Sequence, residues 1–135
     1  MATELFAPLI SETEARLKTP LALAYIGDTV WDLLVRRSLL TSNYKAGMLH
    51  KQAVKLVNAA AQAEAMRHIR PHLTEAEEDI VRRGSNAHAK HAAPKNQDAA
   101  DYSLATGLEA LMGYLYLSGN MERIGELFDI AQAFH

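Results

Sequence analysis

Apolar residues recur along this chain at intervals of three and four, the period of helices that bury one face. The strongest run is Leu21–Val35, which predicts one long helix. Residues 23, 26, 30, 33 and 34 share a face, and Leu21, Ala24, Trp31 and Val35 cover much of the rest. A helix apolar on most sides belongs at the centre of its domain. Thr19 is its expected N-cap, and Pro20 suits the first helical position, where a missing N–H leaves nothing unpaired. The pattern extends to about Leu40. Its polar stripe is Tyr25, Asp28, Thr29, Asp32 and Arg36.

The other elements follow in order. Leu5, Phe6, Leu9, Ile10 and Leu17 suggest an amphipathic lead helix over residues 3–17. Thr41-Ser42-Asn43 reads as a connector offering a cap to the next helix. Residues 44–69 are helical in pattern, with a break near Asn58 and an alanine-rich second half that favours helix and close packing. Pro71 stops that run. Thr74-Glu-Ala-Glu77 is a capping-box-like start to a helix ending near Gly84. A loop follows from Gly84 to Asn96, then a long helix from about Asp98 to Leu117, closed by Ser118-Gly119-Asn120. A last helix runs from Met121 to about Phe134. No β run, repeat or low-complexity segment stands out. The expectation is an all-α fold of about seven helices, one domain over residues 1–135.

Composition narrows the partners. Hydrophobic residues make up 49%, with seven Gly and four Pro, as in folded helical chains. Fourteen basic against sixteen acidic side chains give −2 overall, so any basic site must be local. No cysteine is present, which excludes disulfide and thiolate chemistry and fits a reducing cytoplasm. The acidic N-terminus is unlike a signal peptide, and no run is long and uncharged enough for a bilayer.

Chemistry concentrates at two acids and one basic stretch. Asp28 stands at the edge of its helix's polar stripe, beside Gly27. Glu109 is the sole carboxylate from Leu104 to Leu117, again beside residues small enough for close helix approach. Either acid alone could be a satisfied structural group. Together they would repel, and one would stay protonated unless a cation lay between them. Mg²⁺ or Mn²⁺ resolves that conflict, and Mg²⁺ favours few carboxylates and several waters. Between Arg82 and Lys95 lie Arg82, Arg83, Lys90 and Lys95 with no acid, a local patch suited to phosphate. Lys45, His50, Lys51 and Lys55 form a second, weaker basic set. His88 and His91 lack further ligands nearby, and His68 and His72 lack the Glu of a zincin helix, so neither pair reads as a metal site. No Gly-rich phosphate loop or nucleophile triad is present.

Tyr25-Ile-Gly-Asp-Thr-Val resembles the signature helix of the ribonuclease III family. Gly107-Leu-Glu-Ala-Leu-Met-Gly-Tyr-Leu-Tyr resembles its second acidic helix. Arg82-Arg-Gly-Ser-Asn-Ala with Pro94-Lys-Asn resembles the Mini-ribonuclease III branch, a catalytic domain without a double-stranded-RNA-binding domain. The resemblance spans roughly residues 18–130. It implies an all-α, homodimeric, Mg²⁺-dependent nuclease for double-stranded RNA, leaving 5′-phosphates. Asp28 and Glu109 would be the catalytic, metal-binding acids. Arg82, Arg83, Asn86, Lys90, Lys95, Asn96 and Lys51 would grip RNA by its A-form shape and 2′-hydroxyls. The implied substrate is precursor 23S ribosomal RNA, with a ribosomal protein as a possible companion. The alternative is a catalytically silent RNA-binding or ribosome-assembly module on the same fold.

Departures from the larger enzymes matter. Acids expected four and seven positions before Asp28 are replaced by Ala24 and Leu21, and one three before Glu109 by Thr106. Two carboxylates remain, leaving the number of metals open. Asp32 is a candidate outer-shell acid. Trp31, Tyr114 and Tyr116 are candidates for either dimer interface or core.

Overall fold

In the computed structural model, which describes residues 2–87 and 98–133, seven α-helices follow one another without a strand among the described residues. They are α1 (Glu12–Leu17), α2 (Pro20–Leu39), α3 (Ala46–Val57), α4 (Ala59–Ile69), α5 (Glu75–Ala87), α6 (Ala99–Leu117) and α7 (Met121–Gln132), with a 3₁₀ turn at Arg70–His72. The helix starts obey the expected caps. Thr19 Oγ1 accepts from the Ala22 N–H, with Pro20 opening α2. Thr74 and Glu77 exchange hydrogen bonds as a full capping box. The break near Asn58 is real, because its side chain caps α4 by accepting from the Ala61 N–H.

The centre of the molecule is α6 rather than α2. From Ala105 to Leu115 every residue of α6 except Glu109 is buried, and α2, α4, α5 and α7 all pack on it. Its end is closed by Gly119 at φ 81°, with the Asn120 and Gly119 N–H groups donating to the carbonyls of Leu115 and Tyr116. That pairing satisfies carbonyls that a helix end leaves open. α2 buries a single stripe, Leu23, Gly27, Trp31, Val35 and Leu39, with Ala24 beside it. Leu21, Tyr25 and Leu33 stay exposed, Tyr25 at 84%. Helical spacing identified the apolar positions, but whether this chain covers each of them depends on its neighbours. Trp31 is core, edge-on to Phe128 with ring centroids 5.2 Å apart. Tyr114 is core as well, its hydroxyl donating to Glu12 at 2.6 Å.

Three expected boundaries move. The lead helix covers only Glu12–Leu17, started by a Ser11–Glu14 capping box. Pro8 lacks an N–H and disfavours helix before it. The segment is instead tied to the end of α6: Leu9 and Ile10 donate to the Leu117 carbonyl, and the Tyr116 hydroxyl donates to that of Leu5. Thr41 and Ser42 do not cap α3; their hydroxyls donate back to the Ser38 and Leu39 carbonyls, closing α2. Gly84 does not end α5. A Cβ there would lie 2.9 Å from that of Ala110, so this glycine lets α5 press on α6 while the helix runs on to Ala87.

Candidate active site

α2 and α6 cross at backbone contact, through two glycines. A Cβ on Gly27 would meet the Glu109 carbonyl oxygen at 1.6 Å, and one on Gly113 would meet the Leu23 carbonyl oxygen at 1.9 Å. Each helix therefore needs a glycine where the other's backbone passes. Asp28 follows Gly27, so the crossing brings its carboxyl to that of Glu109. These are the two acids singled out in the sequence, and the fold unites them.

Their electrostatics are unequal. Glu109 is half-buried and Asp28 exposed. Burial pushes the Glu109 carboxyl up to about 8, helped by a hydrogen bond and charge repulsion from Asp28. The amide of Gln62, buried on α4, hydrogen-bonds Glu109 and pulls the other way. Gln62 escaped the sequence reading. Its signal was an uncharged polar residue set in an alanine run, Ala59-Ala-Ala-Gln-Ala63. Without a cation, Glu109 is largely protonated near neutral pH, the expected outcome for two carboxyls sharing a site. Among the described residues no group of three or more His, Cys, Asp or Glu gathers as a metal centre. The site is a two-acid site, open on the Asp28 side, and its donors are the hard oxygens that Mg²⁺ takes.

A groove of about 290 Å³ opens from Asp28 between α2 and α3. Asp28, Thr29, Asp32 and Arg36 line one side, and His50, Ala53, Val54 and Val57 the other. Asp32 is bound to Arg36, whose Nε donates to it at 3.0 Å.

The expected RNA-contacting residues separate. Lys51 is exposed on α3, next to His50 of the groove. Arg82 is exposed on α5 and paired with Asp79. Asn86 is exposed on the last turn of α5. Arg83 is turned to another use: its guanidinium donates to the carbonyls of Arg16 at 2.8 Å and Lys18 at 3.2 Å, tying α5 to the α1–α2 connection. A Cβ on Gly107 would lie 2.7 Å from Ser85 Oγ, so the end of α5 abuts the part of α6 that carries Glu109. Lys90, Lys95 and Asn96, with His88 and His91, lie outside the described residues. His68 pairs with Glu64 at 3.0 Å and His72 is exposed.

No helix among the described residues is long and apolar enough to cross a membrane. The model of the "Ribonuclease III domain" family matches residues 21–120, spanning both acids. Proteins named "Mini-ribonuclease 3" are similar over most of their length. That of Symbiobacterium thermophilum is 48% identical over 85% of this chain and 88% of its own. That of Thermoanaerobacter sp. is 44% identical over 84% and 80%, and that of Brevibacillus brevis 44% over 90% and 89%. A crystal structure of a Fusobacterium nucleatum protein superposes with a TM-score of 0.79 at 30% identity, covering 89% of this chain and 96% of that one. Shared fold, the match to the family model and these relatives together place the chain in the ribonuclease III family of endoribonucleases, in its Mini-ribonuclease III branch.

Proposed function

We propose that this chain is a single catalytic domain that cuts double-stranded RNA at Asp28 and Glu109, requires Mg²⁺, and acts as a cytoplasmic homodimer. The observation that carries the site is the glycine-mediated crossing that sets an exposed Asp28 against a half-buried Glu109. The pair suits a divalent cation, which would let both acids stay ionised. A bound Mg²⁺ would lower the pKa of a water and offset charge developing on phosphate, and Mn²⁺ takes the same oxygen donors. Asp28 and Glu109 would supply the negative charge to hold it, with the hydrogen bond from Gln62 orienting Glu109. Water attacking in line with the leaving 3′-oxygen gives a 5′-phosphate and a 3′-hydroxyl.

Lys51, Arg82, Asn86, Lys90, Lys95 and Asn96 are the proposed RNA contacts, and Arg83 holds the α5 end from which that stretch departs. They answer phosphates and A-form shape rather than sequence. Homodimer formation is supported by Leu21 and Tyr25, uncovered one turn apart on α2 before Asp28; a second copy would bury both. A two-fold dimer sets one site against each strand of a duplex. Resemblance to the Mini branch supports precursor 23S ribosomal RNA as the substrate, with a ribosomal protein as a companion in its presentation.

The decisive test is cleavage of a long perfect RNA duplex with Mg²⁺ or with chelator, beside Asp28→Asn. Mg²⁺-dependent cutting lost in the variant, with binding intact, is the expected result. If parent protein leaves both this duplex and a precursor 23S stem whole while binding them, the chain is a silent RNA-binding module. Cutting by Asp28→Asn at the parent rate would remove Asp28 from the site.

A further inference from the structure

Asp28, Asp32 and Arg36 stand four residues apart on α2, and residues at that spacing share one line along a helix. Arg36 is two turns from Asp28, but its bond to Asp32 draws the guanidinium back by one. Helical side chains already lean that way. The guanidinium ends about one turn, ~5.4 Å, along the helix from Asp28. Among the described residues only its Nε is engaged, so the two terminal nitrogens keep their donors for another acceptor. The pair is exposed, Arg36 at 60% and Asp32 at 37%, and an ion pair so placed adds little stability. Its consequence is orientation. His50 on α3 faces it across the groove, and Ala53, Val54 and Val57 give that wall an apolar surface.

We propose that this groove seats the RNA strand running away from the acid pair, and that Arg36 and His50 bind the phosphate next to the one being cut. Asp32 is the positioning residue that aims Arg36. The inference rests on the nuclease reading of Asp28 and Glu109. A guanidinium offers two parallel N–H groups to a phosphate, a match that lysine lacks. His50 adds one ring N–H from the opposite wall. Asp32 accordingly acts through Arg36 rather than on a metal.

The test measures duplex binding by fluorescence anisotropy in chelator, and KM and kcat in Mg²⁺, using a short RNA duplex. Arg36→Ala should weaken binding and raise KM about tenfold, leave kcat within about twofold, and lower the salt slope of binding by about one. Arg36→Lys should recover part of the affinity, and His50→Ala should weaken binding by a smaller factor. Asp32→Asn should raise KM on its own and add nothing in the Arg36→Ala background, with the Mg²⁺ dependence of kcat unchanged. A higher Mg²⁺ requirement in Asp32→Asn, persisting without Arg36, would make Asp32 a metal-side acid and overturn its role here. Binding by Arg36→Ala and His50→Ala equal to the parent would remove RNA from the groove. The binding arm needs no cleavage, so a parent that does not cut, or an active Asp28→Asn, defeats the nuclease reading separately.

Discussion

Gly27 and Glu109 meet backbone to backbone: a Cβ on Gly27 would stand 1.6 Å from the Glu109 carbonyl oxygen. The glycine preceding one acid is therefore seated on the residue that carries the other. Packing of α2 on α6 and assembly of the acid pair are one event, so damage to the contact reaches both stability and activity.

Gly27→Ala should cost about 3 kcal/mol or more, because the only relief is separation of two core helices. Gly125→Ala in α7 is the control. A Cβ there meets nothing within 4 Å, so the change should stabilise by up to ~1 kcal/mol through helix propensity. Urea unfolding of both variants decides it, and equal effects would mean that the crossing tolerates a methyl group.

Glu109 makes the metal-free protein sensitive to pH. Its carboxyl is raised from 4.5 to about 8, chiefly by burial and then by Asp28, so the native state holds a proton that the unfolded chain has released. Stability then falls as pH rises between those values. In chelator, Glu109→Gln should remove this slope and melt above the parent at pH 8, by about 5 °C. Added Mg²⁺ should raise the parent's melting temperature and leave the variant's unchanged. A parent-minus-variant difference that stays flat from pH 5 to 8 would contradict the assignment.

Arg123 secures the buried end of α5. Its Nε and one terminal nitrogen donate to the two oxygens of Glu77 at 2.9 and 2.8 Å, and the same terminal nitrogen donates to the His72 carbonyl. Burial pushes the Glu77 carboxyl up, but the bonds from Arg123 and Thr74 outweigh it and hold it below 4.5. Arg123→Met should cost about 3 kcal/mol near neutral pH by stranding a buried charge. That stabilising linkage is present above the unfolded value and is lost as pH falls, so the gap to the parent should narrow below pH 4.5. A gap independent of pH would point to lost packing instead.

Tyr25→Asp tests the dimer face. Tyr25 is 84% exposed on the helix that carries Asp28, one turn from the exposed Leu21. Light scattering should give twice the chain mass for the parent and one chain mass for the variant, with unchanged helix content. A variant that remains dimeric would place the interface elsewhere.

Much of this fold was legible in the chain because its causes are local. Thr19-Pro20, Asn58 and the Thr74–Glu77 box set helix starts through hydrogen bonds within a single turn, and Gly119 closes α6 by the same short-range logic. Misreadings came where a local cue had more than one use. Gly84 could end a helix or admit a neighbour, and only the approach of Ala110 decides between them. Thr41 and Ser42 could cap the helix after them or close the one before. In residues 3–17, the apolar spacing outweighed Pro8, whose ring governs that stretch more strongly.

For the site, the sequence alone singled out two acids: Asp28 and Glu109 stand out as carboxylates set beside small residues in strongly apolar helices. Tertiary structure decided everything that depends on crossing distance. It seated Gly27 on Glu109, raised one acid and left the other exposed, and brought Gln62 from a third helix to the pair. It also turned Arg83 toward the backbone of Arg16 and Lys18 and set His50 opposite Arg36. A residue's type and spacing state which interactions it is able to make. Which of them it makes depends on the groups that packing brings within about 3 Å, and those come from parts of the chain far apart in sequence.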